Sequence, residues 1–155
     1  MQFMTYFFAS TISFLGLLIG IILINIAPEE QKLLSKYFGR ARKIILLLIF
    51  IFLLFYFYNN IFYLSILLAY LAFAAFIEYR IHDLLGKSMI FYILLGILFY
   101  LGRNNIHLFT IESSLILLYG VSTASMVYST KEKSHFKLLF YNMGFLIIAN
   151  NLFFI

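Results

Sequence analysis

The sequence has no cysteine, no tryptophan, a single proline and only 11% charged residues. Without cysteine, disulfide bonds, thiolate catalysis and thiolate metal sites are excluded. Without tryptophan, the 12 tyrosines must supply any aromatic belt at a membrane interface. The shortage of charged residues excludes a soluble domain, because such a domain carries about 25% charged residues. A water-exposed surface therefore cannot be built from this chain.

Apolar residues dominate what remains. They make up 65% of the chain, and the mean hydropathy is +1.03. Only helices and closed barrels satisfy their backbone polar groups in hydrocarbon, and the apolar runs here are continuous rather than alternating, which excludes a barrel. The composition predicts an all-α fold, a polytopic integral membrane helical bundle that forms a single transmembrane domain over residues 1–155.

The stretch from Lys43 to Asn60 shows the repeating plan of the chain. A basic residue is followed by an uninterrupted apolar run, Ile44 to Tyr58, and then by two asparagines. A run of this length crosses most of a hydrocarbon layer of roughly 30 Å at 1.5 Å per residue. Similar units run from Lys87 to Asn105 and from Lys137 to Asn151. A true internal repeat is one explanation; recurrence of the same topology is the other, and the low identity between the units favours it.

Six transmembrane helices and one short amphipathic interfacial helix are predicted from these runs. The interfacial helix, residues 28–43, begins at Pro28, with Glu29 and Glu30 at the positive end of its dipole. The predicted spans are 6–26, 44–58, 61–77, 88–101, 108–128 and 136–155.

The basic residues are distributed unequally between the connections. Ten of them lie after the first, third and fifth spans, whereas only Arg103 lies on the other side. By the positive-inside rule, both termini are expected to be non-cytoplasmic in a multi-pass protein of the cell membrane. The spans then pair as three hairpins that turn on the cytoplasmic side.

Two pairs of small residues predict close helix packing. Gly16 and Gly20 form a GxxxG pattern in the first span, and Gly120 and Ala124 form a small-xxx-small pair in the fifth. Such pairs let two helix backbones approach each other closely. Packing within the bundle is the simpler interpretation, and a dimerisation face is the alternative.

The interfacial helix carries a basic face that predicts contact with lipid headgroups, made by Lys32, Lys36, Arg40 and Lys43. Recognition of a particular anionic headgroup or phosphorylated ligand is one role for this face. A positive-inside anchor is the other, and topology alone accounts for it. The expected partners are the lipid bilayer with anionic headgroups at its cytoplasmic face, and a second copy of the chain or a membrane partner protein. Nucleic acid is not expected, because the basic residues lie in short loops between spans.

Glu112 is the candidate functional residue within a span, since ionisable groups are costly in hydrocarbon. It could bind a cation or relay a proton. Alternatively, it is an interfacial carboxylate paired with Arg103 or His107, which is favoured because it lies only about one turn inside the fifth span.

Four further candidates cluster after the third span: Glu78, Arg80, His82 and Asp83. On a continuing helix, Glu78 and His82 would share a face, as would Arg80 and Asp83, which describes two local polar pairs as well as a reactive site. Glu78 and His82 supply at most two metal ligands, whereas a catalytic zinc site takes three from the protein. No nucleophile elbow, HExxH, P-loop or paired-aspartate protease pattern occurs. The sequence thus predicts no catalytic residue, no metal and no cofactor.

Three functions remain open. The first is a non-catalytic subunit, scaffold or sensor-like bundle that acts through partner or lipid contacts. The second is a small oligomeric transporter or channel that uses Glu112, the serines of the fifth span and Asn142. The third is an intramembrane enzyme that acts on a lipid at the cytoplasmic face through Glu78, His82 and Asp83. The absence of a catalytic constellation favours the first.

Overall fold

The computed structural model of the protein describes residues 2–129 and 135–154, except for the side chains of residues 31, 32, 35, 127–129 and 135. Its described part contains α-helices, a short 3₁₀ turn at Gly102–Asn104 and no strand, which confirms the predicted all-α class. The helices are α1 (Phe3–Ile26), α2 (Pro28–Phe57), α3 (Ile61–Arg80), α4 (Leu84–Leu101), α5 (Ile106–Ser129), α6 (His135–Asn142) and α7 (Gly144–Phe153).

Five segments of the described chain are long and apolar enough to cross a membrane. They are Phe3–Ile26, Ile61–Arg80, Leu84–Asn104, Ile106–Met126 and Phe136–Phe153. This agrees with a multi-pass membrane protein. The predicted second span is absent from the group because the apolar part of α2, from Ile44 to Phe57, measures only ~21 Å at 1.5 Å per residue.

The predicted interfacial helix and second span form one helix rather than two. α2 runs without interruption from Pro28 to Phe57. From Arg40 to Phe57 the chain has neither proline nor glycine, so nothing in the sequence ends the helix where its composition changes from amphipathic to apolar. The prediction of a separate interfacial helix over 28–43 is therefore wrong, although these residues are helical.

The predicted last span is broken in the middle. α6 ends at Asn142 and α7 begins at Gly144, with Met143 donating its N–H to the Phe140 carbonyl at 3.2 Å, one residue short of the α-helical partner. The Asn142 side chain also donates to the Leu138 carbonyl at 2.7 Å. A side chain bonded to the helix carbonyls next to a glycine is a recognised cause of a kink.

α1 and α5 form the most closely packed pair, and small residues set their separation. A Cβ on Gly16 would collide with the Leu117 carbonyl of α5, and one on Gly20 would lie 2.6 Å from Cβ of Ala124. On α5, a Cβ on Gly120 would lie 2.7 Å from the Leu17 nitrogen. The structure thus places both pairs of small residues in one intramolecular interface. Ser13 adds a hydrogen bond to the Ser113 carbonyl at 3.1 Å.

Contacts between rings define one end of the bundle. Tyr6 of α1 packs against Phe99 of α4, Phe109 of α5 and Phe153 of α7. We call this the asparagine end. Asn105 caps the start of α5 close to Phe109, and Asn60 caps the start of α3, the end opposite Glu78. Arg42, Glu78 and Lys87 meet at the opposite end, which we call the basic end. α3 lies at the edge of the bundle, where few of its residues are buried.

Candidate functional site

A carboxylate surrounded by three cations lies at the basic end. Glu78 near the end of α3 accepts a hydrogen bond from Nη2 of Arg42 to its Oε2 at 3.1 Å. Its Oε1 lies 3.1 Å from Nζ of Lys43, and its Oε2 lies 3.5 Å from Nζ of Lys87. Lys87 also donates to the Glu78 backbone carbonyl at 3.1 Å. These four residues, the Glu78 cluster, join α2, α3 and α4.

Arg42 is the buried member of the Glu78 cluster. Only 3% of its side chain is exposed, compared with 63% for Lys43. Its guanidinium carbon lies 5.8 Å from the centre of the Phe91 ring. Within the described part of the chain, its Nη1 atom is buried and has no hydrogen-bond partner. A buried guanidinium with an unused donor is costly unless something else binds it.

A cavity of about 250 Å³ opens beside Arg42. Its polar rim consists of Arg42, Lys43 and Glu78, while the rest of the wall is apolar except for the hydroxyl of Tyr119. The wall contains Leu46, Leu47, Phe50, Leu71, Ala74, Ala75, Phe91 and Tyr119, from α2, α3, α4 and α5. We call this cavity the α2–α3 groove. We call the part lined by Arg42, Lys43 and Glu78 the head of the groove, and the apolar remainder its tail.

The charges of the Glu78 cluster do not balance. Three cations face one carboxylate, so the cluster carries a formal charge of 3 − 1 = +2. Two of these cations, Arg42 and Lys87, are largely removed from water. Phosphate and carboxylate groups match the planar fork of a guanidinium, so an anion at the head of the groove would offset the surplus charge.

The end of α3 explains why the other residues predicted near Glu78 do not join it. Ile81, with φ −95° and ψ 115°, leaves the helix, and Asp83 caps the start of α4 by accepting from the Leu85 and Gly86 N–H groups. Glu78 and His82 therefore do not share a helical face. Arg80 and His82 are exposed and lie apart from the groove, and Asp83 has a structural role in starting α4.

Three of the four residues predicted to contact lipid headgroups have described side chains. Lys36 and Arg40 are exposed on α2, and Lys43 is exposed but also bonds to Glu78. The Lys32 side chain lies outside the described residues. Headgroup contact by this face stays a prediction.

Glu112 is more enclosed by the bundle than predicted. Its side chain is fully buried, and neither of its carboxylate oxygens has a hydrogen-bond partner in the described part of the chain. Pairing with Arg103 is wrong, because that guanidinium stacks on the Tyr100 ring, 3.9 Å from its centre. His107 is exposed. Glu112 instead packs against Gly102 at the end of α4, where the missing side chain leaves room for it.

Sequence reasoning missed Arg42 and Lys87 as site residues. A signal for Arg42 was present: it precedes Ile45, Ile49 and Leu53 at steps of three and four, so it begins the stripe of α2 that faces the bundle. Nothing comparable marks Lys87, because its partner Glu78 belongs to another helix. Among the described residues, no three His, Cys, Asp or Glu side chains gather as a metal site would require.

Comparisons with known proteins do not assign a family to the chain. No protein-family model, no curated protein and no solved structure matches it. What the protein does must therefore be inferred from the Glu78 cluster, the groove and the bundle that positions them.

Proposed function

We propose that the protein is a non-catalytic membrane bundle that binds an anionic lipid in the α2–α3 groove and acts as a lipid-dependent subunit or sensor. The observation that carries this proposal is Arg42, which is 3% exposed at the head of an apolar cavity with one guanidinium nitrogen unused. A lipid phosphate would accept a hydrogen bond from that nitrogen.

The lining of the groove favours a lipid over a water-soluble anion. Beyond Arg42, Lys43 and Glu78, its wall is built from aliphatic and aromatic side chains of α2, α3, α4 and α5. A phosphodiester at the head and part of an acyl chain against Leu46, Phe50 and Leu71 would satisfy both regions. A soluble phosphate would leave the apolar wall empty.

The chemistry of the groove favours binding over catalysis. Glu78 is its carboxylate, and contacts with three cations occupy both oxygens, so it is poorly placed to accept a proton from water. His82, the general base of the enzyme hypothesis, is exposed beyond the end of α3. Of the residues in the transporter hypothesis, Glu112 lies at the other end of the bundle, whereas Asn142 and Ser125 donate to backbone carbonyls of their own helices.

We further propose that the chain crosses the membrane six times as three hairpins, with the basic end in the cytoplasm and both termini outside. The alternation of helix directions between the basic end and the asparagine end supports six crossings. α2 would cross with its ~21 Å apolar part because Lys43 reaches the interface by extending its aliphatic stem. The excess of basic residues at one end supports the orientation.

Orientation is tested with reporters at the C-terminus. A periplasmic-type reporter, such as alkaline phosphatase, fused after Ile155 is expected to be active, while a cytoplasmic fluorescent protein at the same position stays dark. A fusion within 130–134 should give the opposite pair of results. A cytoplasmic C-terminus would contradict six crossings with this orientation.

Removing the Arg42 guanidinium is expected to abolish selective lipid binding. Arg42→Gln should weaken binding of phosphatidylglycerol by roughly 10- to 100-fold, because hydrogen bonds to charged groups contribute about 1.5–3 kcal/mol. Native mass spectrometry of the full chain in mild detergent, with titrated phosphatidylglycerol and phosphatidylcholine, measures the change. The parent should retain phosphatidylglycerol preferentially.

Arg80→Gln is the matched control, since Arg80 carries the same charge two residues beyond Glu78 but is exposed and does not line the groove. It should keep the lipid preference nearly intact. Equal losses in both variants would mean that general charge attracts the lipid, and equal binding of the two lipids by the parent would refute the proposal. Equal unfolding temperatures for both variants would show that the loss is not a folding defect.

A further inference from the structure

The bundle contains a second unbalanced charge, at the end remote from the groove. Glu112 on α5 is fully buried, and none of the described side chains donates a hydrogen bond to either carboxylate oxygen. An ionised carboxylate in a low-dielectric interior requires a partner, since isolation costs far more than any single hydrogen bond returns.

The Glu112 carboxylate lies against the end of α4. It packs on Gly102, which caps the C-terminus of α4. That terminus is the negative end of the helix dipole, with carbonyl groups that lack helical partners. A cation at this position would be attracted both by the carboxylate and by the end of α4.

The basic and polar groups nearby are engaged elsewhere. Arg103 stacks on Tyr100 and lies 5.9 Å from the centre of the Phe153 ring. The hydroxyl of Tyr6 donates to the Ala149 carbonyl at 3.0 Å, and His107 is exposed at the start of α5. The side chains packed around this end therefore leave the carboxylate without a compensating charge.

We propose that Glu112 is a binding site for a small monovalent cation, either a proton or an alkali metal ion. The cation would offset the charge of the carboxylate at the end of α4 and stabilise the junction of α4 and α5. This site is independent of the lipid groove, because Glu112 and the Glu78 cluster share no described contact and lie at opposite ends of the bundle.

The test uses dicyclohexylcarbodiimide, an apolar reagent that adds the O–H of a protonated carboxyl across its carbodiimide bond. The full chain in mild detergent is treated at pH 6 and pH 9, in choline chloride, sodium chloride or lithium chloride. Labelled peptides are quantified by mass spectrometry. The exposed Glu29 and Glu30 serve as internal references.

We expect Glu112 to be labelled, and its labelling rate to depend on the cation. Protection of tenfold or more by sodium or lithium relative to choline identifies an alkali ion. Labelling of Glu112 at pH 6 that exceeds that of Glu29 and Glu30 by tenfold or more, and that falls less steeply than theirs by pH 9 in choline with no sodium effect, identifies a proton. A Glu112 rate that matches the references at both pH values and that neither sodium nor lithium alters, or no labelling of Glu112, overturns the proposal.

A second measurement does not depend on whether the carbodiimide can reach Glu112. The unfolding temperature of the parent should respond to the same change of salt or pH, whereas Glu112→Gln should remain folded and lose the response, because its side chain is neutral and nearly isosteric. Glu30→Gln, at an exposed position, should respond as the parent does. An unchanged response in Glu112→Gln would also overturn the proposal.

Discussion

Gly16→Ala is expected to destabilise the bundle strongly, although it adds only one methyl group. The new Cβ would collide with the backbone carbonyl of Leu117, which cannot rotate away as a side chain would. Relief requires α1 and α5 to separate along their whole interface, where Gly20 and Gly120 also rely on close approach. Overpacking costs about 1–3 kcal/mol, and the backbone contact places this variant at or above the upper limit. The unfolding temperature in detergent measures the effect.

Gly39→Ala is the matched control. A Cβ at Gly39 would lie 3.5 Å from Cε of Met126, an ordinary van der Waals distance. Replacing a helical glycine with alanine usually gains up to about 1 kcal/mol, so this variant should be unchanged or more stable. The same chemical substitution is thus expected to act with opposite sign at two helical glycines. A parent-like unfolding temperature for Gly16→Ala would contradict the packing of α1 on α5.

Composition and local pattern determine much of the helical content. The apolar runs predicted the helical class because hydrocarbon permits few alternatives. Element boundaries were predicted less well. α2 continues through a change of composition that contains no helix breaker, and the last span is divided into two helices at Met143. Small residues at positions 16, 20, 120 and 124 indicated close packing, but pairing α1 with α5 requires a contact about a hundred residues apart in sequence.

The candidate site was predicted only in part, because it too is formed by contacts between different helices. Glu78 was recognised, but its partners were sought on its own helix, at His82. They are Arg42 and Lys87, which two other helices bring to it. Local spacing identifies neighbours on one helix and is silent about contacts between helices. Glu112 shows the reverse error: its partner was sought nearby in sequence, but Arg103, the nearest lysine or arginine, stacks on a tyrosine instead.

Glu78→Ala is expected to be the most damaging substitution at the basic end. It leaves Arg42 and Lys87 without their counterion, and removal of one partner of a buried ion pair typically costs about 3–5 kcal/mol. Glu78 is 26% exposed, so water can partly replace it, and a loss of about 3 kcal/mol is the more suitable expectation. The unfolding temperature should fall clearly, whereas Glu29→Gln, at the exposed start of α2, should leave it within experimental error.

Two further measurements separate the charge argument from simple loss of packing. Phosphatidylglycerol should stabilise Glu78→Ala more than it stabilises the parent, because the lipid phosphate supplies the missing negative charge to Arg42. The double variant Arg42→Met/Glu78→Met should recover much of the stability, since apolar replacement of a buried ion pair is often neutral or stabilising. It should not recover the lipid preference. A double variant that is less stable than Glu78→Ala would show that packing, rather than unpaired charge, dominates at this site. If the double variant instead folds well and no longer binds the lipid, the buried Arg42–Glu78 pair serves binding rather than stability.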